Sequence, residues 1–156
     1  MTTPRIVVLT GVTRGLGRAM LRELVAAGHT VAGCGRNAGQ IEALRREYPA
    51  PHHFATADVS DDVQVADWAA HLLATVGPPD LLINNAAVVN ANAPLWEIQA
   101  GEFDTLTGVN INGVNHSFDI GHNISMGQND TLGVAGCPRG IYQRGHRISG
   151  RRHRGC

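Results

Sequence analysis

The chain has 156 residues, of which 43% are apolar and 17% charged, a globular composition and a length that suits one domain. Thirteen arginines, with no lysine, balance thirteen acidic residues, but residues 1–114 carry −4 and residues 115–156 carry +4. Apolar runs such as 86–89 are far too short to span a bilayer, and three widely spaced cysteines form neither a disulfide framework nor a zinc pattern. We therefore expect a cytoplasmic chain with no membrane partner and no metal.

Strand patterns alternate with helix patterns through the first half of the chain. Strands are predicted at 5–10, 29–34, 53–57 and 80–84, and helices at 15–27, at 41–48, from an N-cap at Ser60 to Gly77, and from about Glu102 onward. Such alternation predicts right-handed crossovers and a parallel sheet covered on both faces. The fold class is therefore α/β, a doubly wound sheet of the Rossmann type with about four strands.

The pattern changes after residue 114. Residues 115–156 contain eight glycines and six arginines, and they show neither helical periodicity nor a convincing strand. We expect two units: an incomplete dinucleotide-binding domain at 1–114 and an irregular, Gly/Arg-rich tail at 115–156. Four strands would leave an open edge at 80–84, so a marginally stable or associating protein is expected.

A glycine-rich turn joins the first strand to the first helix. It reads Thr10-Gly-Val-Thr-Arg-Gly-Leu-Gly17, a T-G-x-x-x-G-x-G spacing. Glycines here permit a tight turn and let backbone N–H groups approach a ligand, and the helix N-terminus behind them favours a pyrophosphate. A phosphate-hydrolase P-loop would need Gly-Lys-Ser/Thr, which a chain without lysine lacks. The alternative is an ordinary turn that is rich in glycine.

The end of the second strand indicates which dinucleotide is preferred. A site for NAD usually has Asp or Glu there to bind the ribose 2′-OH, but this chain has Arg36, and Arg14 lies in the glycine turn. Guanidinium groups form charge-assisted, bidentate bonds to phosphate, so NADP is favoured over NAD. The alternative for Arg36 is a solvated surface side chain.

Further motifs follow the third and fourth strands, at Asp58-Val59, Asn84-Asn85-Ala86-Ala87 and Asn110-Ile111-Asn112-Gly113. Together with the glycine turn, in this order and spacing, they resemble the short-chain dehydrogenase/reductase family over about residues 4–114. Residues 32–37 and 84–98 also resemble a branch that includes NADPH-dependent pterin aldehyde reductases. Ala87 departs from the family's usual glycine, and its methyl group is expected to crowd the nicotinamide side of the site.

The resemblance implies roles for individual residues. Asn84 would meet the cofactor ribose and tie the sheet together, and Asn110 would be the catalytic asparagine of a proton relay that acts on a small-molecule carbonyl. The implied cofactor-binding residues are Gly11, Thr13, Arg14, Gly15, Leu16, Gly17, Arg36, Asn37, Asp58, Val59, Asn84 and Ala86. For Asp58 the alternative is a turn residue, and for Asn110 a helix residue bonded to backbone.

The family's chemistry also implies a Tyr-x-x-x-Lys pair and an upstream serine, because proton transfer at neutral pH needs a tyrosine whose pKa is lowered. This chain has no lysine, and His146 stands four residues after Tyr142 without a helix pattern around it. Ser117, Ser125 and Ser149 lack supporting context. We therefore expect a truncated oxidoreductase with little or no turnover. A homo-oligomer, or pairing with a full-length relative, would be compatible with that.

Two other functions fit parts of the sequence. The first is a non-catalytic pseudoenzyme or interaction fragment that holds NADP. The second is a nucleic-acid contact through the tail arginines, which the near absence of aromatic residues disfavours against a solvated tail. The tail residues Cys137, His146, His153 and Cys156 match no standard zinc spacing.

Overall fold

A computed structural model describes residues 3–90 and 93–117, and every structural statement below concerns those residues. Four strands alternate with four helices: β1 Ile6–Thr10, α1 Gly15–Ala26, β2 Thr30–Gly35, α2 Ala38–Glu47, β3 His53–Thr56, α3 Asp62–Thr75, β4 Leu81–Ile83 and α4 Ala100–Thr107. A 3₁₀ turn at Leu95–Glu97 precedes α4. A π-helical turn at Gly108–Asn112 follows it, and residues 113–117 are helical.

The four strands form one parallel sheet in the order β3-β2-β1-β4, which confirms the predicted Rossmann architecture. The register pairs Val8 of β1 with Ala32 of β2 on one side and Leu82 of β4 on the other. The chain adds β2 and β3 on one side of β1 and then places β4 on its other side, so the topology switches between β1 and β4. A crevice at the carboxyl ends of the strands is expected at such a switch point.

Two apolar clusters cover the two faces of the sheet. On one face, Val65, Trp68 and Leu72 of α3, which recur at helical spacing, pack against the sheet. On the other, Leu21 of α1 and Ile41 of α2 are fully buried in a second cluster. Parallel strands need this double cover, and buried β-branched and leucine side chains provide it.

Apolar residues of α1 differ in exposure along the helix. Leu16, in the first turn of α1, is 69% exposed and lines the crevice at the carboxyl ends of the strands. Met20 and Leu24, which follow it at four-residue spacing, are partly buried against the second apolar cluster.

Helix starts differ from the predictions where a side-chain cap decides them. Helix α2 begins at Ala38, three residues early, because the Asn37 side chain accepts a hydrogen bond from Gln40 N at 2.9 Å. Helix α3 is capped by Asp61 and not by Ser60. The Asp61 carboxylate accepts bonds from the backbone N–H groups of residues 63 and 64, at 3.0 and 3.1 Å. The Ser60 hydroxyl instead donates to Asp58 at 2.7 Å.

The predicted boundary between two units near residue 114 falls within a helical stretch. Residues 113–117 are helical, and Ser117 is fully buried. The irregular tail, the Tyr142–His146 pair, the two later serines and the tail arginines lie outside the described residues, so those expectations stay predictions. In the part of the chain that is described, no helix combines the length and the apolarity that crossing a membrane requires.

Candidate functional site

A crevice of about 280 Å³ opens at the carboxyl ends of β1, β2 and β4, at the switch point of the sheet. It is lined by the glycine turn, by the ends of β2 and β3, and by the segment that follows β4. Ten of the predicted site residues lie on its wall: Gly11, Thr13, Arg14, Gly15, Leu16, Gly17, Arg36, Asp58, Val59 and Ala86. Asn37, Asn84 and Asn110 lie off this wall, and Cys34, Asn85 and Val88 are among the residues on it that sequence reasoning did not assign.

The glycine turn is fixed to the neighbouring strand through its backbone. The N–H groups of Gly11 and Val12 both donate to the carbonyl oxygen of Cys34, at 2.9 and 3.1 Å. Gly11 has a φ of 72°, and a Cβ there would come within 2.9 Å of the Ala86 backbone. A Cβ on Gly17 would overlap the Gly11 carbonyl. The chain therefore needs glycine at both positions to fold the turn beneath the crevice.

The first turn of α1 lacks the cap that the next two helices have. Its N-cap residue is Arg14, whose side chain makes no capping hydrogen bond, and no acid lies in the first turn. Helices α2 and α3 are capped by Asn37 and Asp61. The first N–H groups of a helix have no internal partner and carry partial positive charge. The uncapped turn faces the crevice through Gly15 and Leu16, so it offers an anion those donors.

Arg36 and Asp58 face each other across one end of the crevice. Their closest charged atoms, Nη1 and Oδ2, are 3.8 Å apart, and the Arg36 side chain is 57% exposed. The other carboxylate oxygen, Oδ1, accepts bonds from Ser60 N at 3.0 Å and from Ser60 Oγ at 2.7 Å. Asp58 is thereby held in place, while the Arg36 guanidinium is weakly engaged and open to a stronger anion.

The Cys34 thiol is a structural group and not a reactive one. Cys34 is fully buried in β2, and this burial raises its pKa to about 12. Its backbone carbonyl anchors the glycine turn, as described above. Because the thiolate is the nucleophilic form, a thiol with such a pKa carries no nucleophilic chemistry at neutral pH.

The family model described as short chain dehydrogenase matches residues 5–121 of the chain. The chain belongs to the short-chain dehydrogenase family. It is 40% identical over 112 residues to the NADPH-dependent pterin aldehyde reductase of Arabidopsis thaliana, a match that covers 70% of this chain and 46% of that protein.

Solved short-chain dehydrogenase structures agree with this assignment. A short-chain dehydrogenase from Streptomyces avermitilis superposes with a TM-score of 0.70 at 30% identity, covering 76% of this chain and 43% of the other. The closed form of a serine dehydrogenase complexed with NADP+ gives 0.73 at 25% identity, covering 77% and 49%. The chain thus spans about half the length of the short-chain dehydrogenases that it matches.

Asn85 ties the sheet at the site, in the role that sequence reasoning gave to Asn84. The Asn85 side chain donates to the carbonyl oxygens of Thr10 and Gly11, at 3.0 and 3.2 Å. In return the Thr10 hydroxyl oxygen accepts bonds from the N–H groups of Asn85 and Ala86, both at 3.0 Å. These four bonds lock the end of β4 to the end of β1 beneath the crevice.

Asn84 turns away from this junction and contacts the helical segment beyond α4. Its Oδ1 accepts a bond from the Ser117 hydroxyl at 2.6 Å, and Ser117 Oγ also lies 2.9 Å from the Gly113 carbonyl. Ser117, which has no supporting motif in the sequence, is therefore a buried link between β4 and the last described helix. Only the fold brings these two positions together.

Asn110 bonds the backbone of the segment after β4. Its Oδ1 accepts from Val88 N at 3.0 Å, and its Nδ2 donates to the Val88 carbonyl at 2.9 Å. Asn110 lies in the π-helical turn, a feature that is frequent at functional sites. Val88 lines the crevice, so Asn110 bonds the backbone of a residue on the crevice wall.

The crevice offers uncapped helix donors, one weakly engaged guanidinium and one anchored carboxylate. Within residues 3–90 and 93–117 no group of three or more His, Cys, Asp or Glu side chains is placed to hold a metal ion.

Proposed function

We propose that this chain binds NADP(H) in the crevice and provides the cofactor-binding part of an oxidoreductase that acts on a small-molecule carbonyl or alcohol. The observation that carries the proposal is the position of Arg36. Its exposed guanidinium lies at the crevice wall, next to an uncapped helix N-terminus, where an NAD-preferring site has a carboxylate.

The pyrophosphate of the cofactor fits the glycine turn. Gly15 and Leu16 line the crevice at the start of α1, where no side chain caps the first backbone N–H groups of the helix. A Cβ built on Gly15 would meet nothing within 4 Å, so the space in front of this residue is open. The donors and the space that a diphosphate needs are therefore present together.

The 2′-phosphate fits Arg36, with Arg14 on the same wall. The present partner of Arg36 is Asp58, at a separation of 3.8 Å and at an exposed position, so releasing it costs little. A phosphate dianion accepts stronger, bidentate bonds from a guanidinium. Asn37, one of the implied cofactor-binding residues, uses its side-chain oxygen to cap α2 but retains its amide N–H donors.

The adenine would lie against the Asp58 and Val59 side chains. Asp58 is anchored by Ser60, so its orientation is set before a ligand arrives. Val59 is buried against the segment after α4, where a Cβ on Gly113 would come within 2.8 Å of it. NADP(H) would supply a hydride when bound, and these residues would hold its adenosine and pyrophosphate parts.

Two relatives support the cofactor preference. The pterin aldehyde reductase is NADPH-dependent by name, and the serine dehydrogenase structure contains NADP+. We carry the cofactor, but neither substrate, over to this chain. Asn110 is proposed as a positioning residue that holds the wall segment at Val88.

Catalytic turnover needs proton-transfer groups in addition to the residues that bind the cofactor. The family resemblance implies a tyrosine–lysine pair for proton transfer, and the 156 residues contain no lysine. We therefore propose that these residues bind NADP(H) but reduce carbonyl compounds poorly. The second candidate function is a non-catalytic NADP-binding module that pairs with another copy or a relative.

A fluorescence titration with NADPH tests the proposal. Wild type should bind NADPH more tightly than NADH, and Arg36→Ala should lose about tenfold in NADPH affinity, the size expected for a charge-assisted bond. Arg46→Ala removes an exposed arginine that is paired with Glu42, away from the crevice, and serves as the control. Undetectable NADPH binding by the folded wild type would refute the proposal. Loss of NADPH absorbance with an aldehyde and ketone panel separates an enzyme from a binding module.

A further inference from the structure

A second concave site lies at the opposite edge of the sheet, along the outer side of β3. This β3 groove has a volume of about 270 Å³ and is separate from the cofactor crevice, with which it shares no residue. It is lined by Arg45, His52, His53, Phe54, Ala55, Trp68, His71, Leu72 and Thr75. Nothing proposed above uses these residues.

The side chains of the groove carry nitrogen donors and no acid. Arg45 comes from α2, His53 is the first residue of β3, and His71 comes from α3. His52 directly precedes β3. Two carboxylates adjoin these side chains. Glu42 lies 3.5 Å from Arg45 Nη1, and Asp67 lines a neighbouring depression that His71 also lines. Such a donor set is suited to an anion.

Two of these groups are already oriented. The Nε of Arg45 donates to the Phe54 carbonyl at 2.9 Å, which fixes the plane of the guanidinium at the groove. The Nδ1 of His52 lies 3.2 Å from Val31 N and accepts its hydrogen bond. Accepting this bond requires a neutral ring, so the His52 proton sits on Nε2 as a donor. Burial first, and the charge of His53 second, lower the pKa of His52, in agreement with that form.

We propose that the β3 groove binds a small phosphoryl dianion, either free phosphate or the phosphate of a small organic monoester. Arg45 supplies the fixed charge, and the imidazoles of His53 and His71 supply further donors. The buried Trp68 and Leu72 give the groove an apolar side, on which the organic part of a monoester can pack. The volume exceeds what one phosphate fills and is near the lower limit for small-ligand pockets.

Two rival occupants fit less well. A peptide strand added to the edge of β3 would need the backbone groups along that edge as hydrogen-bond partners. The Phe54 carbonyl already accepts a hydrogen bond from Arg45 Nε, so it is not free to pair with such a strand. A metal ion would need three converging ligands, and the described residues place no such group.

An NMR titration of the histidine ring signals tests the proposal on the whole chain. Inorganic phosphate and glycerol phosphate are added at pH 8, where both are largely dianions, with chloride at equal ionic strength as the reference. The ring signals of His53 and His71 should move with either phosphate. Tighter binding of glycerol phosphate identifies an organic ligand, and equal binding identifies the free ion.

Variants decide whether the groove itself is responsible. Arg45→Gln and His71→Gln should each weaken binding about tenfold, as expected for a lost charge-assisted bond. Arg46→Gln, next along α2 and outside the groove, should leave it unchanged. Absence of ring shifts in folded protein would overturn the proposal. Equal affinity in all three variants would also overturn it and would indicate an adventitious ion only.

Discussion

At the scale of single residues, two adjacent asparagines with the same side chain have different structural roles. Asn85 points back under the glycine turn and bonds two carbonyl oxygens there, while Asn84 is exposed and faces Ser117. The family resemblance implies that Asn84 ties the sheet, and this assignment is wrong because Asn85 makes those bonds. The direction of each side chain depends on how β4 ends, which the sequence pattern does not reveal.

Asn85→Ala should therefore destabilise the fold, and Asn84→Ala should not. Removing the Asn85 amide leaves the carbonyls of Thr10 and Gly11 without this donor at a partly buried position, which costs about 1–3 kcal/mol. Asn84→Ala should cost within about 0.5 kcal/mol, because Asn84 is exposed and Ser117 retains the Gly113 carbonyl as an acceptor. Urea unfolding of both variants measures this. A larger loss for Asn84→Ala would reverse the assignment.

At the scale of elements, capping side chains determine where a helix starts, and small residues determine how closely it packs against its neighbours. The sequence placed the cap of α3 at Ser60, one residue before its position in the structure. Both residues are favourable caps in general. Asp61 caps α3 because its two oxygens reach three partners, the N–H groups of Val63 and Gln64 and the Gln64 side chain, while Ser60 is committed to Asp58.

Asp61→Ala should lower the urea midpoint more than Ser60→Ala does. The bonds from Gln64 and Val63 hold the pKa of Asp61 below its ordinary value of 3.8. The ionised cap therefore stabilises the fold above that value, and this contribution is lost as the pH falls through the lowered pKa. The difference between wild type and Asp61→Ala should be full at pH 7 and should shrink below pH 3.8. A pH-independent difference would contradict this assignment.

Gly113 allows the helical segment after α4 to approach Val59. A Cβ on Gly113 would lie 2.8 Å from Val59 Cγ2, whereas a Cβ on Gly101, in α4 itself, would meet nothing within 4 Å. Gly113→Ala should therefore destabilise the protein by about 1–3 kcal/mol through overpacking. Gly101→Ala should stabilise it by about 0.5–1 kcal/mol through helix propensity. Thermal unfolding of the two variants checks the pair, and similar effects of the same sign would count against this packing.

At the scale of the whole molecule, the sheet topology and the crevice could be predicted, because both depend on local patterns. Apolar runs followed by glycine or acid specify the strand ends, and parallel strands bring those ends to one edge. The links made by Asn110 to Val88 and by Ser117 to Asn84 could not be predicted. They join positions that only the tertiary fold brings together, and the surrounding residues carry no periodic signal.

The outer edge of β4 should promote association. In the described part of the chain β4 pairs with β1 alone, and Leu81 on β4 is 42% exposed. An edge charge opposes strand pairing between molecules. Leu81→Lys should therefore reduce concentration-dependent light scattering. Val63→Lys, at a helix position that is 68% exposed, should leave the scattering unchanged. Equal scattering by wild type and Leu81→Lys would show that this edge does not mediate association.

A backbone-amide NMR titration with NADP+ and NAD+ tests most directly whether the start of α1 and Arg36 hold the cofactor phosphates. Both cofactors should move the signals of Thr13, Gly15 and Leu16, and NADP+ should in addition move the Arg36 side-chain signal and bind more tightly. Signals that stay in place at the start of α1 in folded protein would contradict the proposed site. Equal binding of the two cofactors, with no response from Arg36, would contradict the proposed role of that residue.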